Sequence, residues 1–356
     1  YSLYYKAIFV SKFVRPLHYI GLHTCVELLL TGHDVVVIDN LSNSSVTSLE
    51  RVSEIVKTKL FVANSGTNNH ASFIFEKVDI RDRVELDRIF STYNIDCVIH
   101  FAGLKAVGES VEKPLNYYDN NVAGSLILYE AMQASNVKQI VFSSSATVYG
   151  DPHMVPIKES FPLSATNPYG QSKIINENVL RDLYISDPDW NVVLLRYFNP
   201  VGAHKSGLIG ENPHGIPNNL MPYISQVAVG ELDRLSIFGG DYPTKDGTGV
   251  RDYIHVVDLA KGHVAALNHL SKQNSGSVSI VNLGTGIGYS VLEVVKAFEQ
   301  ASGVKVPYSI VERRSGDIAE CYADPSYAKQ IFDWEAKLDL EQMCKDTWRS
   351  IRKKSR

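Results

Sequence analysis

The feature that most constrains the fold of this chain is the alternation of short apolar strands with helices in its first half. Residues 34–38, 97–101 and 140–145 are runs of strand length, and helical patterns lie between them. Near-continuous apolar strands that alternate with helices are typical of a parallel sheet covered on both faces. We therefore predict an α/β fold, with a doubly wound, Rossmann-like parallel sheet and a smaller mixed α/β substrate domain.

The composition of the chain changes after Arg196, and proline and glycine become frequent around residues 215–219. Loops with this composition often hold the groups that contact a ligand. We expect residues 1–196 to form a dinucleotide-binding domain and residues 197–356 to form the substrate domain. The chain is expected to cross between them near residues 225–260.

Charge and cysteine content argue against several classes of protein. The 35 Lys and Arg residues against 39 Asp and Glu residues give a formal net charge of −4. This leaves no basic surplus to neutralise the phosphates of a nucleic acid. The four cysteines are far apart and lack the spacing of a zinc site, which favours reduced thiols, a cytoplasmic location and no metal. No apolar run approaches the roughly 18 residues of a membrane-spanning helix.

Tyr169 and Lys173 form the most informative candidate site. A free tyrosine has a pKa of about 10, but a lysine at position i+4 shares its helix face and favours the phenolate. Ser145, at the end of a predicted strand, is placed to relay a proton. An exposed helix carrying an ordinary tyrosine and lysine is the simpler alternative. The predicted strand end and a helix from about residue 172 to 186 favour proton transfer from a sugar or alcohol hydroxyl, with a nicotinamide as hydride acceptor.

A dinucleotide fold carries an acidic residue at the end of its second strand, where it binds the ribose hydroxyls. Asp39 occupies that position and indicates NAD rather than NADP; its alternative role is that of a turn or helix-cap carboxylate. Asp79, after the next strand, is a candidate partner for the adenine amino group. The remaining cofactor candidates are Tyr19, Ile20, Gly21, Asn40, Ile80, Phe101, Ala102, Gly103, Lys105, Asn120, Ser143 and Phe198, together with Tyr169 and Lys173.

The glycine-rich turn of such a fold is missing from its expected place. Only Gly21 fits the pattern, and Arg15-Pro16-Leu17-His18 precedes it where glycines should allow a close approach to pyrophosphate. Proline removes an N–H donor and histidine adds bulk. Weak cofactor binding, or a different route of binding, therefore remains an alternative. A second cluster, Gly284–Gly288, is interpreted as a tight turn rather than the dinucleotide site.

Several segments together resemble the UDP-glucose 4-epimerase family of the extended short-chain dehydrogenase/reductases. The resemblance covers about residues 19–350 and is specific, because long runs match in order. The segments that carry it are Ile99–Ser110, Ser143–Gly150, Asn167–Gly170, Leu195–Pro200, Pro217–Tyr223 and Asp246–Val256.

The resemblance implies an isomerase that interconverts UDP-glucose and UDP-galactose in galactose metabolism. NAD⁺ stays bound, Tyr169 takes the proton of the sugar 4-hydroxyl with the help of Ser145, and a transient 4-keto sugar turns before it is reduced. It also implies a homodimer, in which helices near residues 114–135 and 172–186 meet. Besides Ser145 and Tyr169, the substrate residues that it implies are Asn199, Asn219, Leu220, Arg251, Arg314, Asp317 and Cys321.

By the same resemblance, Cys321 lines the sugar pocket, and its small side chain leaves room for an N-acetyl group. We therefore expect UDP-GlcNAc and UDP-GalNAc to be interconverted as well. A nucleotide-sugar 4,6-dehydratase is less favoured, because Ala146 and Thr147 after Ser145 supply no carboxylate. A non-catalytic UDP-sugar-binding protein with a degraded NAD site remains the alternative from another class.

Overall fold

The computed structural model describes residues 6–10, 19–41, 46–62, 71–211, 215, 217–314 and 316–354. The Arg15–His18 stretch lies outside the described residues. In chain order the strands are β1 (Lys6–Val10), β2 (Asp34–Ile38), β3 (Phe73–Glu76), β4 (Cys97–His100), β5 (Gln139–Ser145), β6 (Asn191–Tyr197), β7 (Asn199–Val201), β8 (Leu235–Phe238), β9 (Val250–His255), β10 (Ser277–Leu283), β11 (Gly288–Ser290), β12 (Tyr308–Val311) and β13 (Glu320–Cys321).

The helices are α1 (Tyr19–Leu30), α2 (Val46–Val62), α3 (Arg83–Thr92), α4 (Val107–Glu112), α5 (Pro114–Tyr118), α6 (Gly124–Ala134), α7 (Pro168–Ser186), α8 (Leu220–Ala228), α9 (Val256–Leu270), α10 (Val291–Ser302), α11 (Ser326–Phe332) and α12 (Leu340–Lys354). A π-helix covers Asp119–Ala123 and a 3₁₀-helix covers Ala146–Tyr149. Within the described part of the chain, no helix combines the length and the apolar character that a bilayer crossing requires.

The predicted doubly wound α/β fold is confirmed. Seven strands form one sheet in the order β10-β6-β5-β4-β1-β2-β3, and β1 pairs in parallel with both β2 and β4. The strand order therefore reverses between β1 and β4, and in such sheets ligands bind beyond the carboxyl ends of the strands at the reversal.

The chain divides into two compact units and passes between them more than once. The first unit comprises Tyr1–Gly150, Leu163–Arg196 and Ala260–Val281. The second comprises Asp151–Pro162, Tyr197–Leu259 and Asn282–Arg356.

The core of the first unit comes from the apolar strands that the sequence shows. Val36, Val98, Ile140 and Val192, from four different strands, belong to one buried cluster. Each such side chain stabilises the fold by about 1.5–3 kcal/mol when it is fully buried. Helices cover this sheet because its strands are apolar on both faces.

The second unit is mixed α/β, as predicted. Its strand β9 pairs in parallel with β7 and β13 and antiparallel with β11. A separate parallel pair is formed by β8 and β12. Helices α8, α10 and α12 pack around a buried cluster that includes Ile224, Phe298 and Met343.

Two helices differ from the sequence-based expectation. Helix α7 begins at Pro168 rather than near residue 172, because the Asn167 side chain caps it by accepting a hydrogen bond from the Gly170 N–H at 2.9 Å. Tyr169 therefore lies in the first turn. Helices were also expected near residues 114–135, and α5 and α6 lie there. The π-helix between them was not expected, and such a feature is frequent at functional sites. After the π-helix, a Cβ added at Gly124 would lie 2.9 Å from Ile80 Cδ1, so α6 approaches this side chain closely.

Candidate active site

Tyr169 and Lys173 share one face of α7, and both are buried, at 8% and 4% exposure. The Lys173 ammonium donates a hydrogen bond to the Ser143 carbonyl at 2.8 Å. It lies 5.9 Å from the centroid of the Tyr169 ring. An exposed helix is therefore the wrong description of these two positions, and the end of β5 holds the ammonium beside the phenol.

Burial controls the acidity of both groups. It raises the pKa of Tyr169, and interaction with the Ser145 hydroxyl works in the opposite direction. Burial also lowers the pKa of Lys173 to about 8, while the Glu177 carboxylate raises it. The sequence predicts that the lysine lowers the pKa of the phenol. In the chain without a bound cofactor, desolvation disfavours the phenolate and has the larger effect on this pKa.

Ser145 lies at the carboxyl end of β5 and caps the 3₁₀-helix that follows. Its hydroxyl oxygen accepts a hydrogen bond from the Thr147 N–H at 3.2 Å, and the Thr147 hydroxyl lies 2.9 Å away. These contacts fix the direction of the Ser145 side chain. Strand β5 therefore supplies the three serines at the point where a parallel sheet places its catalytic groups.

Asn121 in the π-helix joins α7 to the loop after β4. The Asn121 side chain accepts from the Leu104 N–H at 2.6 Å and donates to the Ser172 hydroxyl at 3.0 Å. Ser172 in turn donates to the Tyr169 carbonyl at 2.7 Å. Asn120 is buried, and its Oδ1 atom has no hydrogen-bond partner among the described residues. The sequence analysis did not identify Asn121 or Ser172. The available signal for Asn121 was the adjacent polar pair Asn120-Asn121 within a helical segment.

The loop after β4 leaves space beside the lysine. A Cβ added at Gly103 would lie 3.5 Å from Lys173 Nζ and 3.4 Å from Asn121 Oδ1, so glycine keeps this space open. Phe101 is buried and packs against His263 with ring centroids 4.6 Å apart. His263 Nε2 lies 3.1 Å from the Ser143 hydroxyl. Ala102 is also buried and Lys105 is half-buried.

The two candidate carboxylates at the ends of β2 and β3 already have protein partners. Asp39 is buried, and its Oδ1 accepts from the Leu41 N–H at 2.7 Å. This contact is one that a turn carboxylate makes, and it leaves the cofactor role of Asp39 a prediction. Asp79 accepts from Arg81 Nη2 at 3.1 Å and from Asn40 Nδ2 at 3.0 Å. Four further candidates are buried in the same unit: Tyr19, Ile20, Gly21 and Ile80.

Two candidates for substrate binding meet in the second unit. Arg251 on β9 and Cys321 on β13 are paired in register. The Arg251 guanidinium donates to the Val250 carbonyl at 2.9 Å. Cys321 is buried, which raises the pKa of its thiol to about 11 and keeps it neutral.

The other substrate candidates lie at the ends of elements in the second unit. Arg314 pairs with Asp317 at 2.9 Å and stacks 4.6 Å from the centroid of the Phe238 ring. Asn219 immediately precedes α8 and donates to Glu211 at 3.0 Å. Asn199 is exposed and Leu220 is half-buried. Phe198, a cofactor candidate in the same unit, is buried.

The turn at Gly284–Gly288 binds a carboxylate of the chain itself. Asp252 accepts hydrogen bonds from the Thr285 N–H at 2.8 Å, the Gly286 N–H at 3.0 Å and the Ala323 N–H at 3.1 Å. Its backbone donors are therefore occupied by an internal anion, which supports the interpretation of this segment as a structural turn.

A Rossmann-type sheet with the strand order given above, serines at the end of β5 and a buried Tyr-x-x-x-Lys pair on the next helix defines the class of short-chain dehydrogenase/reductases. The family model described as GDP-mannose 4,6 dehydratase matches residues 19–347.

The chain is 61% identical over 331 residues to a UDP-glucose 4-epimerase of Bacillus subtilis (strain 168), covering 93% of each chain. It is similar to the structure of UDP-glucose 4-epimerase from Stenotrophomonas maltophila with bound NAD and formylated UDP-arabinopyranose (TM-score 0.91, 47% identity, 99% of each chain). It is also similar to the enzyme of Bifidobacterium longum in complex with NAD⁺ and UDP (TM-score 0.89, 51% identity, 98% of this chain and 99% of that one). The chain belongs to the UDP-glucose 4-epimerase family, within the extended branch of that class.

Proposed function

We propose that the chain is an isomerase that interconverts UDP-glucose and UDP-galactose by inversion at C4, with NAD as a retained cofactor. The observation that carries the proposal is the buried arrangement of Tyr169, Lys173 and Ser145 in a chain 61% identical to a UDP-glucose 4-epimerase. The reaction would serve galactose metabolism in the cytoplasm.

The residues of the first unit fit a dinucleotide. The buried Asn120 Oδ1 needs a donor, Gly103 leaves open the space beside Lys173, and Asp39 is buried at the end of β2. These residues, with Phe101 and the first turn of α1, would hold the cofactor. Bound NAD⁺ would supply a hydride acceptor for C4 and a positive charge.

The protein's own part in the reaction is proton transfer. Tyr169 takes the proton of the sugar 4-hydroxyl, with Ser145 as a relay, and returns a proton when the 4-keto group is reduced. Because burial raises the pKa of the phenol, the phenolate needs more than one nearby cation. Lys173 supplies one, and its anchor on the Ser143 carbonyl keeps the ammonium in place.

The second unit would bind the nucleotide end of the substrate. Arg251 and Arg314 suit the diphosphate, because a guanidinium binds phosphate oxygens bidentately. Asn199, Asn219, Leu220 and Asp317 are proposed for the remaining contacts of the UDP moiety. We propose that Cys321 lines the sugar pocket and admits the N-acetyl group of UDP-GlcNAc and UDP-GalNAc.

We propose a homodimer formed by α5, α6 and α7. Leu115, Leu126 and Ile185 on these helices are exposed at 80%, 40% and 74%. We propose that these side chains contribute to one apolar patch, the kind of surface that marks a protein interface. The oligomeric state measured by light scattering tests this proposal, and a monomer at micromolar concentration would contradict it.

The purified chain, with UDP-galactose added and no NAD supplied, tests the proposed activity. We expect UDP-glucose as the product and one dinucleotide per chain in the heat-released fraction. A non-catalytic homologue would bind UDP-galactose and return it unchanged. A 4,6-dehydratase would release a 4-keto-6-deoxy sugar, and the absence of a carboxylate at Ala146 and Thr147 argues against it.

A further inference from the structure

A fully buried ion pair lies on the same helix as the catalytic residues and takes no direct part in the proposed proton transfer. Glu177 on α7 has a side-chain exposure of 0%, and Arg196 on β6 has one of 1%. Arg196 Nη2 donates to Glu177 Oε2 at 2.5 Å, and Arg196 Nε donates to Glu177 Oε1 at 2.9 Å. The contact is bidentate, the geometry in which arginine and carboxylate bind most strongly.

Each end of this ion pair contacts one flank of Ser145. The Ser144 hydroxyl donates to Glu177 Oε1 at 2.6 Å. Arg196 Nη1 donates to the Tyr149 hydroxyl at 3.1 Å, and the guanidinium lies 5.0 Å from the centroid of the Tyr149 ring. Ser144 directly precedes Ser145, and Tyr149 is the last residue of the 3₁₀-helix that Ser145 caps.

Strand β5 is thus attached to α7 at two consecutive residues. Lys173 binds the carbonyl of Ser143 at 2.8 Å, and Glu177, one turn further along α7, binds the hydroxyl of Ser144. The next residue of the strand is Ser145. The position of its hydroxyl relative to the Tyr169 phenol therefore depends on both attachments.

The energetics favour a geometric role over a stabilising one. Removing two charges from water offsets much of their attraction, so a buried ion pair is weak support for stability. Three buried hydrogen bonds reach residues on the two sides of Ser145, namely Ser143, Ser144 and Tyr149. They are better explained by control of the position of that serine. A misplacement of about 1 Å in a catalytic group lowers the rate by roughly 100-fold.

We propose that Glu177, acting through Ser144 and Arg196, is a positioning residue that holds the Ser145 hydroxyl in place for proton transfer with Tyr169. This inference rests on the function proposed above and deepens it. Glu177 does not touch the reacting atoms, so its effect is on the geometry and the electrostatics of the groups that do.

Among the described residues, the charged and titratable groups that interact with Lys173 are Tyr169 and Glu177 on α7 and His100 on β4. Glu177 itself faces Arg196 and, at 3.5 Å, Arg181. Burial, together with the charge of Lys173, lowers the pKa of His100 to about 3, so this imidazole is neutral near pH 7. Glu177 raises the pKa of Lys173. Loss of the Glu177 charge should therefore deprotonate Lys173 at a lower pH, an effect that a purely mechanical support of the helix does not predict.

The test compares Ser144→Ala, Glu177→Gln and a packing control, Val179→Ala, which changes a partly buried apolar residue of the same helix. For each variant, kcat and KM for UDP-galactose, the pH dependence of kcat, the Tm and the bound NAD are measured. We expect Ser144→Ala to lower kcat by about 10- to 100-fold with KM within about twofold. Glu177→Gln should in addition move the alkaline decline of kcat to lower pH.

Val179→Ala should lower the Tm while kcat stays within about twofold of the wild-type value. The proposal is overturned if Ser144→Ala and Glu177→Gln leave kcat unchanged in an active protein. It is also overturned if Val179→Ala lowers kcat as much as Ser144→Ala, because the effect then follows from loosened helix packing. An inactive wild-type chain would instead refute the proposed function, so the two failures are distinguishable.

Discussion

Removing the phenolic oxygen of Tyr169 should separate catalysis from folding, and the chain offers a matched control for this change. Tyr169 and Tyr117 lie in one buried cluster with Leu104. Tyr169→Phe and Tyr117→Phe delete the same atom from two side chains of the same cluster. The Tyr117 hydroxyl accepts from the Ala106 N–H at 3.0 Å and donates to the Ala106 carbonyl at 2.8 Å.

The expected magnitudes differ because the two hydroxyl groups have different partners. Loss of a positioned acid or base lowers kcat by about 10²- to 10⁴-fold, which corresponds to roughly 2.7–5.4 kcal/mol of activation free energy. The stability of Tyr169→Phe should change by less than about 1 kcal/mol, because its phenol makes few protein hydrogen bonds. Tyr117→Phe removes two part-buried hydrogen bonds, with the Ala106 N–H and the Ala106 carbonyl, and should lower the free energy of unfolding by about 1–3 kcal/mol.

The assay couples UDP-glucose formation from UDP-galactose to a specific dehydrogenase, and urea unfolding gives the stability of each variant. Bound NAD is measured in parallel, so that a loss of cofactor is not mistaken for a loss of the acid–base group. Full turnover by Tyr169→Phe would refute the assignment. So would an equal loss of kcat in Tyr117→Phe, because the defect would then follow from the shape of the cluster.

Three further predictions follow from individual residues. Because burial lowers the pKa of Lys173 from 10.5 to about 8, the folded state disfavours its charge below about pH 8, a penalty of about 3 kcal/mol that disappears as pH rises toward 10.5. Lys173→Met removes this penalty of about 3 kcal/mol but also loses a hydrogen bond worth about 1 kcal/mol. The variant should therefore be more stable than the NAD-free wild-type protein by about 2 kcal/mol at pH 7, and this difference should disappear at pH 10. A less stable variant in urea titrations at pH 7 would contradict this. Cys321→Tyr should abolish turnover of UDP-GlcNAc and spare UDP-galactose, whereas Cys321→Ser should keep both, and equal loss of the two substrates in Cys321→Tyr would count against the pocket assignment. The two carboxylate oxygens of Asp252 accept from the N–H groups of Thr285, Gly286 and Ala323, and Asp252→Asn replaces one of these oxygens by an NH2 group that cannot accept. The change should lower the free energy of unfolding by about 1–3 kcal/mol; an unchanged urea midpoint would show that the turn does not depend on the second oxygen and the charge.

The fold was predictable because its signals are local. Strand β2 was expected over residues 34–38 and lies at Asp34–Ile38. The prediction was possible because a short run of valines is typical of a parallel strand that is buried on both faces. The Tyr169 and Lys173 pair was found for the same reason, because an i, i+4 spacing places two side chains on one helix face whatever surrounds them.

Contacts between distant residues left no such signal. Glu177 and Arg196 are separated by 19 positions, and Asp252 and Ala323 by 71. Their pairing depends on which elements become neighbours in the folded chain. In the sequence alone, Glu177, Arg196 and Asp252 cannot be told apart from ordinary surface charges. The sequence predicts a start of α7 near residue 172, four residues too late, because the cap contact of Asn167 with the Gly170 N–H is visible only in the structure.

The sequence by itself determined the α/β class, the chemical groups available for proton transfer and the family to which the chain belongs. Those properties follow from the order and spacing of residues along the chain. Only the tertiary structure decided how acidic these groups are, because burial of Tyr169 and Lys173 is produced by packing against β5 and by the π-helix asparagines. Desolvation depends on what surrounds a group in three dimensions, and it outweighs the influence of the neighbouring charge that the spacing alone indicated.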